Sequence, residues 1–389
     1  MRPLRLVIVA RRFWPLVGET ERMLASLASA FPVRDCRVTV LTAGWNPRWP
    51  PQVVYGEVPV IRLSPAPRDG WSTLRYLRTL GGWLRRHGDD YDAVYVSGLK
   101  QEAYAAVRAV GRRRPVVLRA EQAGRGGDCL WQIDAFCGRR VKTECLRARL
   151  FVGRTPGVCR ELVAAGYPRH RIRYVPDGVS IPPQRDWDRK AAAREALAGA
   201  NPSLRVPPWA PVALFAGPLQ RSQGLGGLLD AWAPVSRRWP NARLWLVGAG
   251  PFHAELSERI EAGNLSDRVI LAGQFDTLDE FLAAADLFLL PPQEGIATAV
   301  LLEAMAAGLP IVASDLVDHR DFAADREHAL IVPRGNSRAI AEAVIRVWSD
   351  AELGLQLGEA ARTRVIRQFS LARMADSHLE LFKGLVDSA

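Results

Sequence analysis

Between Asp286 and Asp315 the chain reads DLFLLPPQEGIATAVLLEAMAAGLPIVASD, and no other stretch constrains the fold so tightly. The apolar run Leu287 to Leu290 stops at Pro291 and Pro292. An apolar segment from Ala297 to Ala307 follows, Gly308 and Pro310 close it, and a β-branched run, Ile311 to Ala313, comes next. The pattern predicts strand, loop, helix, strand. The helix is apolar nearly all round, as for one packed inside a large protein, yet Glu303 sits in its middle. A buried carboxylate is costly without donors, so Glu303 needs a partner.

The same alternation runs through the rest of the chain. Short apolar runs at Leu4 to Ala10, Arg37 to Leu41, Val58 to Leu63, Ala93 to Val96, Val116 to Leu118, Leu150 to Val152 and Ile172 to Val175 are separated by segments of mostly helical period. After a Pro-rich stretch from Ile181 to Trp187 the pattern restarts at Val212 to Phe215 and continues to Leu330 to Val332. Alternation of this kind predicts two doubly wound parallel sheets. The expected domains are residues 1–178, joined by a closing helix over 370–389, and residues 179–369. A length of 389 residues suits two such domains. Ligands of open α/β sheets bind at the carboxyl ends of the strands, so an active cleft is expected between the two domains.

Composition removes several classes. No apolar stretch approaches the length of a membrane span, and MRPLRLVIVARRF is charged too soon for a signal peptide. Five cysteines and six histidines show no metal-ligand spacing, which predicts reduced thiols, a cytoplasmic location and no bound metal. Residues 1–178 hold 31 Lys and Arg against 15 Asp and Glu, whereas the remainder holds 21 against 26. The basic half points to an anionic partner, and with no nucleic-acid-binding signature present, nucleic acid is not expected. LWLVGAGPFH has Gly248 and Gly250 but His253 where a dinucleotide fingerprint needs its third glycine, so a dehydrogenase is disfavoured. Asp186-Trp187-Asp188 precedes a helix-like segment and reads as a cap.

The chemistry of the central stretch suggests a ligand. Glu294 lies in the loop, Gly295 lets backbone approach closely, and Thr298 can begin the helix, whose unpaired amides attract phosphate. Two carboxylates beside an anion-binding helix start suit a nucleotide-sugar, the acids accepting from vicinal hydroxyls. A core helix with one glutamate bonded to backbone or an arginine fits the same residues on chemistry alone.

EGIATAVLLEAMAAGLPIVASD also resembles the donor-site signature of family 4 glycosyltransferases, which have the GT-B architecture of two facing Rossmann-like domains. The resemblance implies that Glu303 holds the ribose, that Glu294 lies near the sugar and acts in catalysis, and that the amides of Gly295, Ile296, Ala297 and Thr298 hold phosphate or sugar. Eight residues separate the two glutamates where the family has seven. FWPLVGETER resembles the N-terminal glycine loop, with Gly18 at the first glycine and Glu19 in place of the second. LFAGPLQRSQGLGGLLDAW resembles the segment whose arginine and lysine clamp the donor phosphates. Gly217 is retained, Pro218 and Gln223 occupy the cation positions, and Arg221 is the nearby basic residue left for a catalytic role. Gly248 completes the expected donor loops, while RAEQAGRGGD, with Arg119 and Glu121, is expected on the acceptor side.

What the resemblance implies is a retaining hexosyl transfer from a nucleoside diphosphate sugar, used as co-substrate with no other cofactor, to a glycan or lipid-linked acceptor of envelope or exopolysaccharide synthesis. A protein that binds nucleotide or glycan without turnover, or a scaffold of an envelope-assembly complex, is the alternative. Finally, RDGWSTLRYLRTLGGWLRRH separates on a helical wheel into Trp71, Leu74, Leu77, Leu80, Trp83 and Leu84 against Arg68, Arg75, Arg78, Arg85 and Arg86. Such a helix can lie on anionic membrane, or its apolar stripe can pack on the domain core.

Overall fold

The computed structural model describes residues 2–16, 18–124, 126–294 and 298–387, with backbone alone for Asp318. The chain divides into two compact units, Met1–Gly178 with Leu371–Ala389, and Val179–Ser370.

The first unit runs β1 (Leu4–Val9), α1 (Glu19–Ala30), β2 (Cys36–Ala43), β3 (Gln52–Tyr55), β4 (Val58–Leu63), α2 (Gly70–Arg86), β5 (Ala93–Ser97), α3 (Gln101–Val110), β6 (Val116–Ala120), α4 (Asp128–Asp134), α5 (Gly138–Cys145), β7 (Leu150–Gly153), α6 (Pro156–Ala164) and β8 (Ile172–Tyr174). Its strands are ordered β3-β4-β2-β1-β5-β6-β7-β8 and are parallel except for β3, which pairs antiparallel with β4. The sheet is buried on both faces, as β1 shows. Leu6 and Ile8 join the cluster around α1, whereas Val7 and Val9 join the cluster holding Tyr76 and Leu80 of α2 and Ala103 and Ala106 of α3.

The second unit runs α7 (Trp187–Ala200), β9 (Val212–Ala216), α8 (Leu225–Arg238), β10 (Arg243–Val247), α9 (His253–Ala262), β11 (Val269–Gly273), α10 (Asp279–Ala284), β12 (Leu287–Leu290), α11 (Thr298–Ala306), β13 (Ile311–Ser314), α12 (Val317–Phe322), β14 (Leu330–Val332), α13 (Ser337–Ser349) and α14 (Ala351–Gln368). Its paired strands are parallel and ordered β11-β10-β9-β12-β13-β14. The strand–helix–strand unit read from Asp286 to Asp315 is β12, α11 and β13. Asp186 caps α7, its carboxylate accepting from Arg189 N at 2.8 Å. The last helix, α15 (Leu371–Asp387), belongs to the first unit, where Met374, Ala375, Leu379 and Phe382 enter the same cluster as Leu6 and Ile8.

Two features differ from the sequence reading, and a third decides between alternatives that it left open. The edge strand β3 was not anticipated, because four residues of alternating exposure carry little periodic signal. The closing helix begins at Leu371, since Ser370 forms an isolated bridge with Val179. The apolar stripe of α2 is taken by the core. Leu80 and Leu84 are fully buried, Leu77 and Trp83 pack partly against them, and only Trp71 and Leu74 remain exposed. Burying two leucines is worth roughly 3–6 kcal/mol, which fixes the helix stripe-inward. Among the described residues no helix is long and apolar enough to cross a membrane.

Candidate functional site

Among the parallel strands of each sheet the chain order reverses once, between β1 and β5 in the first and between β9 and β12 in the second. Loops diverge at such a point and leave a crevice at the strand ends. The second unit therefore offers the β9–α8 loop and the β12–α11 loop, and these touch. Gln293 N and Glu294 N both reach Ser222 O, at 2.8 and 3.4 Å, and Gly224 closes its turn at φ +70° so near Pro291 O that a Cβ there would collide. Gly217 N donates to Val247 O at 3.0 Å and Gly248 N to Gly273 O at 2.8 Å, which ties the β10–α9 loop into the same rim. Gly248, at φ +144°, lies where any side chain would strike Gly217 O, so glycine is required there.

Gly217, Gln223, Gly248 and Glu294 thus lie in loops at the strand ends of one sheet, Thr298 begins α11 in the connection that follows β12, and Glu303 lies along α11. Glu303 is half-buried among fully buried neighbours, and Glu294 is exposed. Thr298 is 2% exposed and its Oγ1 has no hydrogen-bond partner among the described residues. Gly295, Ile296 and Ala297 lie outside the described residues.

Arg221 does not join them. Its guanidinium pairs with Glu255 on α9 and sits 5.0 Å over the Phe252 ring. Sequence reasoning also passed over Ser314 at the end of β13 and His319 in α12. Both are buried, His319 Nδ1 donates to Ser314 O at 2.8 Å, and Ser314 Oγ and His319 Nε2 have no partner among the described residues. Burial pulls the His319 pKa down, so the ring is neutral and Nε2 is an acceptor. A lone Ser and a His five residues later give no readable signal in a sequence.

In the first unit Gly18 precedes α1 in extended backbone, and Glu19 pairs with Arg154, not with Arg11 or Arg12. Arg11 instead holds Glu102 at 2.6 Å and Arg12 holds Glu21 at 2.7 Å. Arg119 cannot face an acceptor. It is 1% exposed and reaches Asp177 at 2.7 Å and Glu121 at 3.4 Å. Arg154 meets the other Asp177 oxygen at 2.9 Å. Burial alone would raise the Asp177 pKa, but the two guanidiniums outweigh it and hold the carboxyl below its usual range. Glu121 is the member that reaches the loop surface, held by Ser97 from β5 and by Thr20 Oγ1 from α1 at 2.7 Å. Asp128, accepting from Glu121 N and Leu99 N at 2.7 and 2.8 Å, fixes the start of α4 to that loop. Among the described residues no cluster of His, Cys, Asp or Glu could hold a metal ion.

Two Rossmann-like units, each with a parallel sheet and glycine-lined strand ends, define the GT-B class, and solved structures agree on the fold. Sucrose-phosphate synthase from Thermosynechococcus elongatus superimposes with TM-score 0.79 at 20% identity, covering 99% of this chain and 100% of that one. The Anabaena protein HepE, in complex with UDP and glucose, gives 0.76 at 18% identity over 98% and 100%. Residues 20–181 match the model described as Glycosyltransferase Family 4, and residues 210–350 the model described as Glycosyl transferases group 1. The chain belongs to the family 4 glycosyltransferases. A lipopolysaccharide core biosynthesis glycosyltransferase of Rhizobium meliloti is 28% identical over 61% of this chain and 64% of its own length. A phosphatidyl-myo-inositol mannosyltransferase of Mycobacterium leprae is 31% identical over 54% and 55%. The alignments thus span less than two thirds of either relative.

Proposed function

We propose that the chain transfers a hexose from a nucleoside diphosphate sugar to a glycan or lipid-linked acceptor of envelope or exopolysaccharide synthesis, with retention at the anomeric carbon and without a metal ion. The observation that carries this reading is the rim at the β9/β12 reversal, where Gly217, Gly248 and Glu294 converge beside a helix that starts at buried Thr298 and carries Glu303. Glu303 accepts from the ribose hydroxyls, and the start of α11 holds phosphate. As the bond from the anomeric carbon to the phosphate oxygen breaks, the acceptor oxygen bonds to the same face and its proton passes to the departing diphosphate. The protein orients the two reactants and stabilises the leaving charge. Supporting a uridine nucleotide, HepE is described with UDP bound. Five free cysteines accord with a reducing cytoplasm.

A thermal-shift screen of nucleoside diphosphates and their sugars tests the reading. At a hundredfold excess over Kd, binding to the native state alone adds about 2.7 kcal/mol, or roughly 5–11 °C for a unit of this size. No shift with any of them sinks it. Proton NMR of the product then checks retention, and unchanged turnover in EDTA checks metal independence. A second reading, a GT-B protein that binds nucleotide without turnover, is favoured by one observation: Pro218 and Gln223 stand at the phosphate-clamp positions while Arg221 is engaged with Glu255. Saturable binding without transfer or donor hydrolysis would select it.

A further inference from the structure

The turn between α4 and α5 carries the largest fully exposed apolar side chain among the described residues. Phe136 projects wholly into solvent, and Ile133, three residues earlier, is 72% exposed. The turn itself is not loose. Ala135 N and Gly138 N close it onto Trp131 O and Ala135 O at 2.9 and 2.8 Å, and a Cβ on Gly138 would strike the Gln132 backbone. A rigid support thus holds two neighbouring apolar side chains away from the core, where an external apolar contact would remove them from water. Arg139 and Arg140 follow immediately and are exposed, Arg140 resting 5.8 Å over the Tyr104 ring, with Asp134 as the one carboxylate on the tip.

We infer that this tip inserts into an anionic lipid surface, Ile133 and Phe136 entering the acyl boundary while Arg139 and Arg140 meet headgroup phosphates. A stable protein interface needs about 800 Å² on each side, and an aromatic side chain supplies only about 150–250 Å². Shallow lipid insertion needs only a few apolar groups with cations behind them. The α2 stripe offers less, because Leu80 and Leu84 are committed to the core and Leu74 is only 39% exposed, which leaves Trp71 as its one well-exposed apolar side chain. Position gives the contact a purpose. Asp128 ties the first residue of α4 to Glu121, and Ile133 and Phe136 lie five and eight residues further on, beyond roughly 10 Å of helix. A membrane held at Phe136 therefore presents a lipid-linked acceptor to the Glu121 loop. That last clause rests on the glycosyltransferase reading; the lipid contact does not.

Sedimentation of the full chain with vesicles tests it, using phosphatidylcholine alone and phosphatidylcholine mixed with phosphatidylglycerol. Binding is expected only with the mixed vesicles, falling at high salt. Ile133→Ser with Phe136→Ser should weaken it about tenfold or more. Arg139→Gln with Arg140→Gln should weaken it comparably, while Trp71→Ser with Leu74→Ser leaves it unchanged. Equal binding by the tip variant, or no vesicle binding by the wild type, overturns the inference. So does a concentration-dependent dimer in sedimentation velocity that the tip variant abolishes, since the tip would then be a contact between copies. A nucleotide thermal shift on the same samples separates this failure from failure of the enzymatic reading.

Discussion

Asp177→Asn keeps the volume of the side chain and removes the one charge that two buried guanidiniums share. Arg119 is 1% exposed and Arg154 9%, each within 2.9 Å of an Asp177 oxygen. Stripping the partner from a buried pair costs about 3–5 kcal/mol, because the remaining charge stays desolvated. Glu121, at 3.4 Å from Arg119, and Glu19, paired with Arg154, retain part of the balance, so the lower end applies. For a unit of this size about 3 kcal/mol lowers Tm by roughly 6–12 °C. The variant should therefore show the first unit melting early in calorimetry while the second melts as before. The acid limb adds a second readout. Since the folded Asp177 pKa is depressed, its stabilisation is present above the unfolded carboxyl value, about 3.9, and is lost as pH falls through the folded value. His378, brought down to about 4 by burial, contributes stability above about pH 6.5 that is lost on the way to pH 4. The variant keeps the His378 phase and loses the one below it. A Tm within 2 °C of wild type, or an unchanged limb below about pH 4, would refute the argument; Arg119→Met with Asp177→Leu should recover much of the loss.

Glu303→Ala should weaken nucleotide binding by one to two decades, from about 1.5–3 kcal/mol of charge-assisted hydrogen bonding, read by calorimetric titration; a folded variant that binds normally removes Glu303 from the site. Glu255→Gln frees the Arg221 side chain of the β9–α8 loop from α9 and should raise diphosphate affinity several-fold, with Tm moving little because exposed pairs are worth at most about 1 kcal/mol. Arg221→Ala should then abolish that gain. Gly224→Ala, at φ +70° against Pro291 O, should cost about 1–3 kcal/mol in thermal denaturation and lower nucleotide affinity together.

How much of this was legible in the sequence depends on the range of the physics involved. The strands and α11 were readable because burial on both faces leaves continuous apolar runs, and β12, α11 and β13 fall where the runs do. The glycines were readable as breaks in those runs. Partners were not: Arg154 finds Glu19 across 135 residues, so neither local spacing nor charge count could say that Glu19 was neutralised. Arg119 looked like an acceptor contact for the same reason, its partner Asp177 being 58 residues away. The α2 wheel gave the correct stripe but not what covers it, since lipid and protein core ask for the same residues.

The crossing of the chain into α15 sets an order of events during synthesis. Residues 179–370 form the second unit from one unbroken stretch, whereas Leu379 and Phe382 reach the Leu6 and Ile8 core only after that stretch has been made. At about 5–20 residues per second, roughly 200 residues take on the order of 10–40 s. During that interval the half of the protein made first keeps an apolar face uncovered, and the half made second can finish first. The first unit's core is therefore completed by the segment of its chain that is synthesised after the whole of the second unit.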